Sequence, residues 1–223
     1  MNAKRAMLRR IAAVAAMIVS FSVATSVFAR SIEITEWMYK GANGEFAEFT
    51  NLGDTAVDMT GWSYADSDNT LGDVNLSSFG VLQPGESVIL TDANATAFRT
   101  AWGFDASVKI IGSNETDNLG SSDEIHLYDM TSEVDSLVYD ETVVKTSGKS
   151  TTIPWNNLDY HSTASGSWAL ASVGDVYGSW TSSGGDIGNP GTYYASSVPE
   201  PSVFGLLVSV CVGLFCYGWH KRG

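Results

Sequence analysis

Cysteine is almost missing from this chain of 223 residues: it has two, Cys211 and Cys216, both inside an apolar run near the C-terminus. Upstream of that run the fold cannot rest on disulfides and no cysteine nucleophile is available, so a buried core must suffice. Within the run a thiol behaves as a small hydrophobe. Basic residues are scarce as well. Between Arg30 and Val198 there are six Lys and Arg against 24 Asp and Glu, a net charge of −18 beside −13 for the whole chain. Such a surface repels phosphate, so nucleic acid is not an expected partner; cationic, metal-bridged or carbohydrate partners remain.

Histidine is the third scarcity. The same region holds only His126 and His161, and it has neither a Gly-x-Ser-x-Gly elbow nor a His-Glu-x-x-His helix. Hydrolysis by an activated nucleophile needs a nucleophile, a base and an orienting acid together, so the chain reads as non-catalytic. His126 is expected on a strand surface, turned outward because Ile125 and Leu127 face in, and His161 in a loop. Paired carboxylates such as Glu45 and Glu48 are what a secreted carbohydrate-active hydrolase would use, and that is the alternative reading. As ordinary strand residues they are solvated and discourage edge pairing.

What the chain does have begins with its ends. Residues 1–29 carry a basic start (Lys4, Arg5, Arg9, Arg10), an apolar run from Ile11 to Val23, and Val27-Phe28-Ala29 with small residues where a signal peptidase reads. Export with cleavage after Ala29 is expected. At the other end, Val203 to Trp219 is uncharged, and as a helix it would span about 25 Å, the short end of what crosses a bilayer. Lys221 and Arg222 follow as a basic stop that stays on the cytoplasmic side. The polar spacer and charge-free end of a lipid-anchor signal are absent.

Val198-Pro199-Glu200-Pro201-Ser202, abutting this apolar helix and its short basic end, resembles the PEP-CTERM sorting signal of exported bacterial proteins. The resemblance implies an exosortase as processing enzyme beside the signal peptidase, transient anchoring in the membrane, and delivery to the cell surface or extracellular matrix. Three segments result: a signal peptide over 1–29, an ectodomain over 30–197, and a sorting signal over 198–223 with a transmembrane helix at 203–219. The ectodomain, about 170 residues, is the size of one domain.

Its texture is that of an all-β domain: short stretches of aromatic and β-branched residues punctuated by Gly, Asn, Asp and Ser. Strands are predicted from Ile32 towards Tyr39, at Glu45 to Thr50, from Val57 past Trp62, and at Val108 to Ile111, Glu124 to Tyr128 and Val134 to Tyr139. Phe46 and Phe49 fall on opposite faces of one strand, so both faces are covered or a bulge re-aims one of them. Ala93 to Gly103 reads as a short helix capped by Asn94, inserted at a sheet edge. Glu141 to Ser167, rich in Ser, Thr and Gly, reads as too polar for core and as a loop over one end.

Glu36-Trp37-Met38, Glu45 to Asn51, and Val57-Asp58-Met59-Thr60-Gly61-Trp62 with Asp66 beyond are similar to the opening of the lamin-tail domain family. Leu82 to Leu90 with its Pro84-Gly85 turn, Trp168 to Ala171, and Gly188-Asn189-Pro190-Gly191 continue the likeness over residues 31–192. The resemblance implies an immunoglobulin-like β-sandwich, which the alternation also suggests.

Two sets of side chains are candidates for binding. Asp66, Asp68, Asn69 and Asp73 offer hard oxygen ligands on one loop, a possible calcium site in a calcium-stabilised surface protein, although the spacing is not that of an EF-hand. Asp117, Asn118, Asp123 and Glu124 form a similar, weaker set. Trp155 and Trp180, in Gly- and Ser-rich loops, are candidate stacking platforms for a sugar, whereas Trp62 and Trp168 read as core. The expected function is a non-catalytic binding or matrix module whose partners are extracellular polysaccharide or surface proteins, with no cofactor unless calcium.

Overall fold

The computed structural model describes residues 32–140, 142–154 and 168–193. The expected signal segment, the expected sorting tail, Trp155 and His161 lie outside them. In chain order the strands are β1 (Ile32–Met38), β2 (Phe46–Asn51), β3 (Val57–Asp58), β4 (Ser63–Ala65), β5 (Val74–Asn75), β6 (Val81–Leu82) and β7 (Ser87–Thr91). They continue as β8 (Lys109–Ile111), β9 (Asp123–Tyr128), β10 (Glu133–Tyr139), β11 (Thr151–Thr152), β12 (Ala169–Leu170), β13 (Trp180–Thr181) and β14 (Ile187–Gly188). One α-helix, α1 (Ala95–Trp102), interrupts them. The described residues are therefore mostly β.

A six-stranded sheet in the order β12-β11-β1-β2-β7-β8 faces a four-stranded sheet in the order β10-β9-β4-β5 across one core. Period-2 alternation builds that core. Ile32, Ile34 and Trp37 of β1, Ala47 and Phe49 of β2, and Val88 and Leu90 of β7 meet Tyr64, Ile125, Leu127, Leu137 and Tyr139 of the second sheet. Trp62 and Trp168 are buried there, as their contexts predict. Two facing sheets with a common core are consistent with the immunoglobulin-like sandwich expected from the sequence. The Gln83-Pro84-Gly85-Glu86 turn sets up β7: Gly85 takes φ +77° and donates its N–H to the Asn51 carbonyl at 2.7 Å, tying the turn to the end of β2.

The six-stranded sheet is covered on its second face too, which answers the question posed by Phe46 and Phe49. Phe46 joins Met38 and Ile89 on that outer face, under Phe98 and Trp102 of α1. The Asn94 side chain accepts from the N–H groups of Thr96 and Ala97, so the cap acts where the sequence placed it. The expected position of the helix is corrected, however. It lies on the sheet face and not at its edge, because β7 and β8 pair in parallel and a parallel pair needs a crossover.

A second correction concerns the polar stretch after residue 141. Ser150, Thr151 and Thr152 are buried, and β11 sits inside the large sheet beside β1, with Glu36 opposite Thr152 and Trp37 opposite Thr151. Polarity misled here because a strand that satisfies its backbone in the ladder and its hydroxyls in a polar layer can be buried without an apolar side chain. Val143 and Ile153, flanking this strand, supply the apolar contacts to the core.

Candidate functional site

Three places gather polar or aromatic side chains: the acidic loops, the aromatic ledge over α1, and a polar seam under the last described segment.

The acidic loop from Asp66 to Asp73 folds on itself through its carboxylates. Asp66 Oδ1 accepts from the Asp68 N–H at 3.3 Å, Asp68 Oδ1 from the Thr70 N–H at 3.1 Å, and Asn69 Oδ1 from the Tyr128 hydroxyl. Among the described residues no group of three or more His, Cys, Asp or Glu side chains converges to hold a metal ion. Of the four expected calcium ligands, Asp66 and Asp68 are thus engaged in turns and Asn69 in a bond to Tyr128. They do shape a field. Burial raises Asp117 to about 6, with the charges of Asp73, Asp66 and Asp68 adding to it. Glu45 rises to about 8, again mainly by burial, with Asp92, Asp123 and Asp66 repelling its charge while the Leu119 N–H donates to it. The cavity beside Glu45, lined by Tyr64, Asp92, Asn114 and Asp117 among others, is about 10 Å³, room for one water at most.

Trp180 is placed otherwise than expected. It is half-buried, its ring meets those of Trp102 and Phe104 edge-on at 5.7 and 6.1 Å, and its Nε1–H donates to the Trp102 carbonyl at 3.3 Å. Its Gly- and Ser-rich neighbours suggested an exposed platform, but α1 offers an apolar ledge that the local sequence does not reveal. Trp180→Ala is therefore expected to lower stability by about 2 kcal/mol in denaturant titration. A melt indistinguishable from the parent would return Trp180 to the role of free platform.

The polar seam is what sequence reasoning missed. A bulge between Ile34 and Glu36 lets consecutive Thr35 and Glu36 both reach the outer face of the large sheet, beside Glu48 and Thr50 of β2. The solvated position expected for Glu48 is corrected: Glu36 and Glu48 are opposite one another in the ladder and both fully buried. The chain from Ile187 to Gly191 covers them. Asn189 N–H donates to Glu36 Oε1 at 2.8 Å and Gly191 N–H to Glu48 Oε2 at 2.6 Å. Thr35 donates its hydroxyl to Glu48 Oε1 at 2.6 Å, and Thr50 links it onward to Ser87. Burial holds both carboxyls above the ordinary range, with mutual repulsion adding at Glu36; Glu48 is raised to about 7. Gly188 must stay glycine, since a Cβ there would stand 2.7 Å from Ser150 Oγ and 2.8 Å from Glu36 Oε1. A pair of facing acids inside a sheet has no signature in single-sequence alternation.

His126 also differs from its expected exposure. It lies on the face away from the core but is only 4% exposed, with Glu133 on Nδ1 and Glu124 on Nε2, each at 2.6 Å, and Tyr128 stacked alongside. Both ring nitrogens are committed, so neither is available to take a proton from a substrate. Glu45 and Glu48 do not face each other across a cleft: Glu45 lines the small cavity, while Glu48 is sealed on the outer face.

A family model described as Lamin Tail Domain matches residues 28–141, which span β1 to β10 and make up just over half of the chain. No curated protein matches. Among solved structures the chain is similar to a DUF4876 family protein from Bacteroides thetaiotaomicron, at 9% identity over 78% of this chain and 74% of that one, with a TM-score of 0.37. With the sequence blocks over β1 to β3, the Pro-Gly turn before β7 and the matched span in agreement, the chain belongs to the lamin tail domain family.

Proposed function

We propose that the protein is an exported bacterial surface or matrix module that binds without catalysing, sorted through residues 198–223. The observation that carries this reading is the Pro199-Glu200-Pro201 motif directly before an uncharged apolar run and the basic Lys221-Arg222 end, in a chain that also begins with an export-type segment. The ectodomain supports the binding half of the proposal. Its best-placed general base, His126, has both nitrogens engaged, and its paired acids are sealed or point into a cavity of about 10 Å³. An immunoglobulin-like sandwich presents its variable chemistry in end loops, and here these loops are acidic. Extracellular polysaccharide or a surface protein suits them; nucleic acid does not. Trp155 is the stacking residue of the proposal.

Surface material should contain a form that lacks residues 203–223, and replacing Pro199 and Glu200 by alanine should leave full-length protein in the membrane. Recovery of only intact, membrane-embedded protein from normal cells would sink the sorting proposal. Protein taken from surface material should bind isolated extracellular polysaccharide or surface protein, more weakly as Trp155→Ala, and turn over no glycan, ester or phosphoester. Turnover lost on replacing Glu45, Glu48 or His126 would overturn the non-catalytic half.

A further inference from the structure

The described domain has no cysteine, yet one pair of side chains is held as reactants are held. Thr152 Oγ1 lies 2.8 Å from Asn189 Oδ1, although the two residues are 37 positions apart in sequence. Thr152 is 1% exposed and Asn189 is fully buried. The amide is pinned at several points. Its Nδ2 donates to the Thr192 carbonyl at 3.0 Å, and its backbone N–H is fixed to Glu36 Oε1 at 2.8 Å. Glu36 is the ladder partner of Thr152, so the two side chains stand next to each other on one sheet face.

We propose that Thr152 and Asn189 are the two ends of an intramolecular ester cross-link that the folded domain forms by itself. As Oγ1 of Thr152 attacks the side-chain carbonyl carbon of Asn189, its hydroxyl proton passes to Asn189 Oδ1, the atom it already faces at 2.8 Å. The protonated Glu36 carboxyl then gives a proton to Nδ2 of the tetrahedral intermediate and takes back the one on Oδ1 as the C–N bond breaks and ammonia leaves. An O–H and a C–N bond are exchanged for a C–O and an N–H bond, with no oxidation or reduction.

Each requirement of this step has a structural counterpart. Fixed geometry turns a bimolecular encounter into an intramolecular one, the origin of large effective molarities. Two adjacent buried carboxyls, both raised by burial, keep a proton available near neutrality, as acid–base catalysis of amide cleavage needs. Burial also denies water to the product ester. The link would tie β11 to the segment that closes the seam and so lock the C-terminal end of the domain covalently.

The test is the intact mass of the purified full chain, with its termini defined by peptide mapping. The expected mass lies about 17 Da below that of the sequence, the loss of one ammonia. A proteolytic fragment should join the peptides containing Thr152 and Asn189, and hydroxylamine should split it. Thr152→Val should restore the full mass and Glu36→Gln should leave most molecules unlinked. A succinimide at Asn43-Gly44 would give the same deficit, but it would join no peptides and would survive Thr152→Val; that result overturns the proposal. So does a parent protein of full mass after prolonged incubation at neutral pH, whatever the variants do.

Discussion

Trp37→Ala is expected to lower the unfolding free energy by about 3 to 5 kcal/mol, the range for emptying a fully buried aromatic site. Trp37 is 1% exposed, stacks on Tyr139 at 4.2 Å and meets Trp168 edge-on at 6.2 Å. It thereby joins β1 to the far sheet and to the chain entering β12, so its removal empties the place where three distant segments meet. Its Nε1–H is buried without a partner, a cost already present in the folded state. Trp37→Phe should therefore cost much less than Trp37→Ala, about 1 to 2 kcal/mol. Chemical denaturation with two spectroscopic probes would check both, with Val176→Ala, at an 86% exposed site, as the neutral control. Equal effects of the Phe and Ala variants would mean that ring volume is not what holds these segments together.

The second large effect is a loss of stability as pH rises through neutrality. Glu48 is raised from 4.5 to about 7, mainly by burial, and Glu36 is raised as well. Between the unfolded and folded values the native state binds more protons than the unfolded one, so stability is full below about pH 4.5 and falls as pH climbs towards 7. For Glu48 the total is about 3 kcal/mol, because each tenfold gain in proton affinity on folding is worth roughly 1.4 kcal/mol. Glu45, raised to about 8, extends the decline in the same direction. Opposing this, Asp58, Asp105, Asp129, Asp140 and Asp175 are lowered, and their contribution disappears only below their ordinary value of 3.8. Thermal melts should peak at about pH 4 to 5 and drop by pH 8. Glu48→Gln should flatten the alkaline limb; a flat profile in the parent would refute the protonated seam.

How much of this was legible in the sequence depends on where the covering atoms come from. Alternation in Ile32–Met38, Phe46–Asn51, Asp123–Tyr128 and Glu133–Tyr139 found the long strands because each carries its own apolar face. Asn94 found the helix because capping is local. Glu36, Glu48 and β11 escaped the reading for a shared reason. Their burial is supplied by residues 187–191, far along the chain, and a local pattern equates polar with solvated. Trp180 and His126 failed in the same way, the first covered by a helix some eighty residues earlier, the second by Glu124 and Glu133 on its two ring nitrogens.

The position of β1 determines how the chain must fold. It is a central strand of the large sheet, yet its neighbour on one side, β11, is synthesised more than a hundred residues later, and its Ile34 N–H is held at 2.8 Å by Asp135 of β10. Such a topology has high contact order: the first strand waits for nearly the whole chain before its edge is closed, and folding on the millisecond-to-second scale is expected. Residues 28–141, the span shared with the family model, would leave that edge open and Glu36 unroofed. The smallest autonomous unit therefore extends through Tyr193, whose hydroxyl bonds the Ile153 carbonyl at 3.0 Å. An emerging chain would remain unfolded, and so threadable through a narrow pore, until Tyr193 is free.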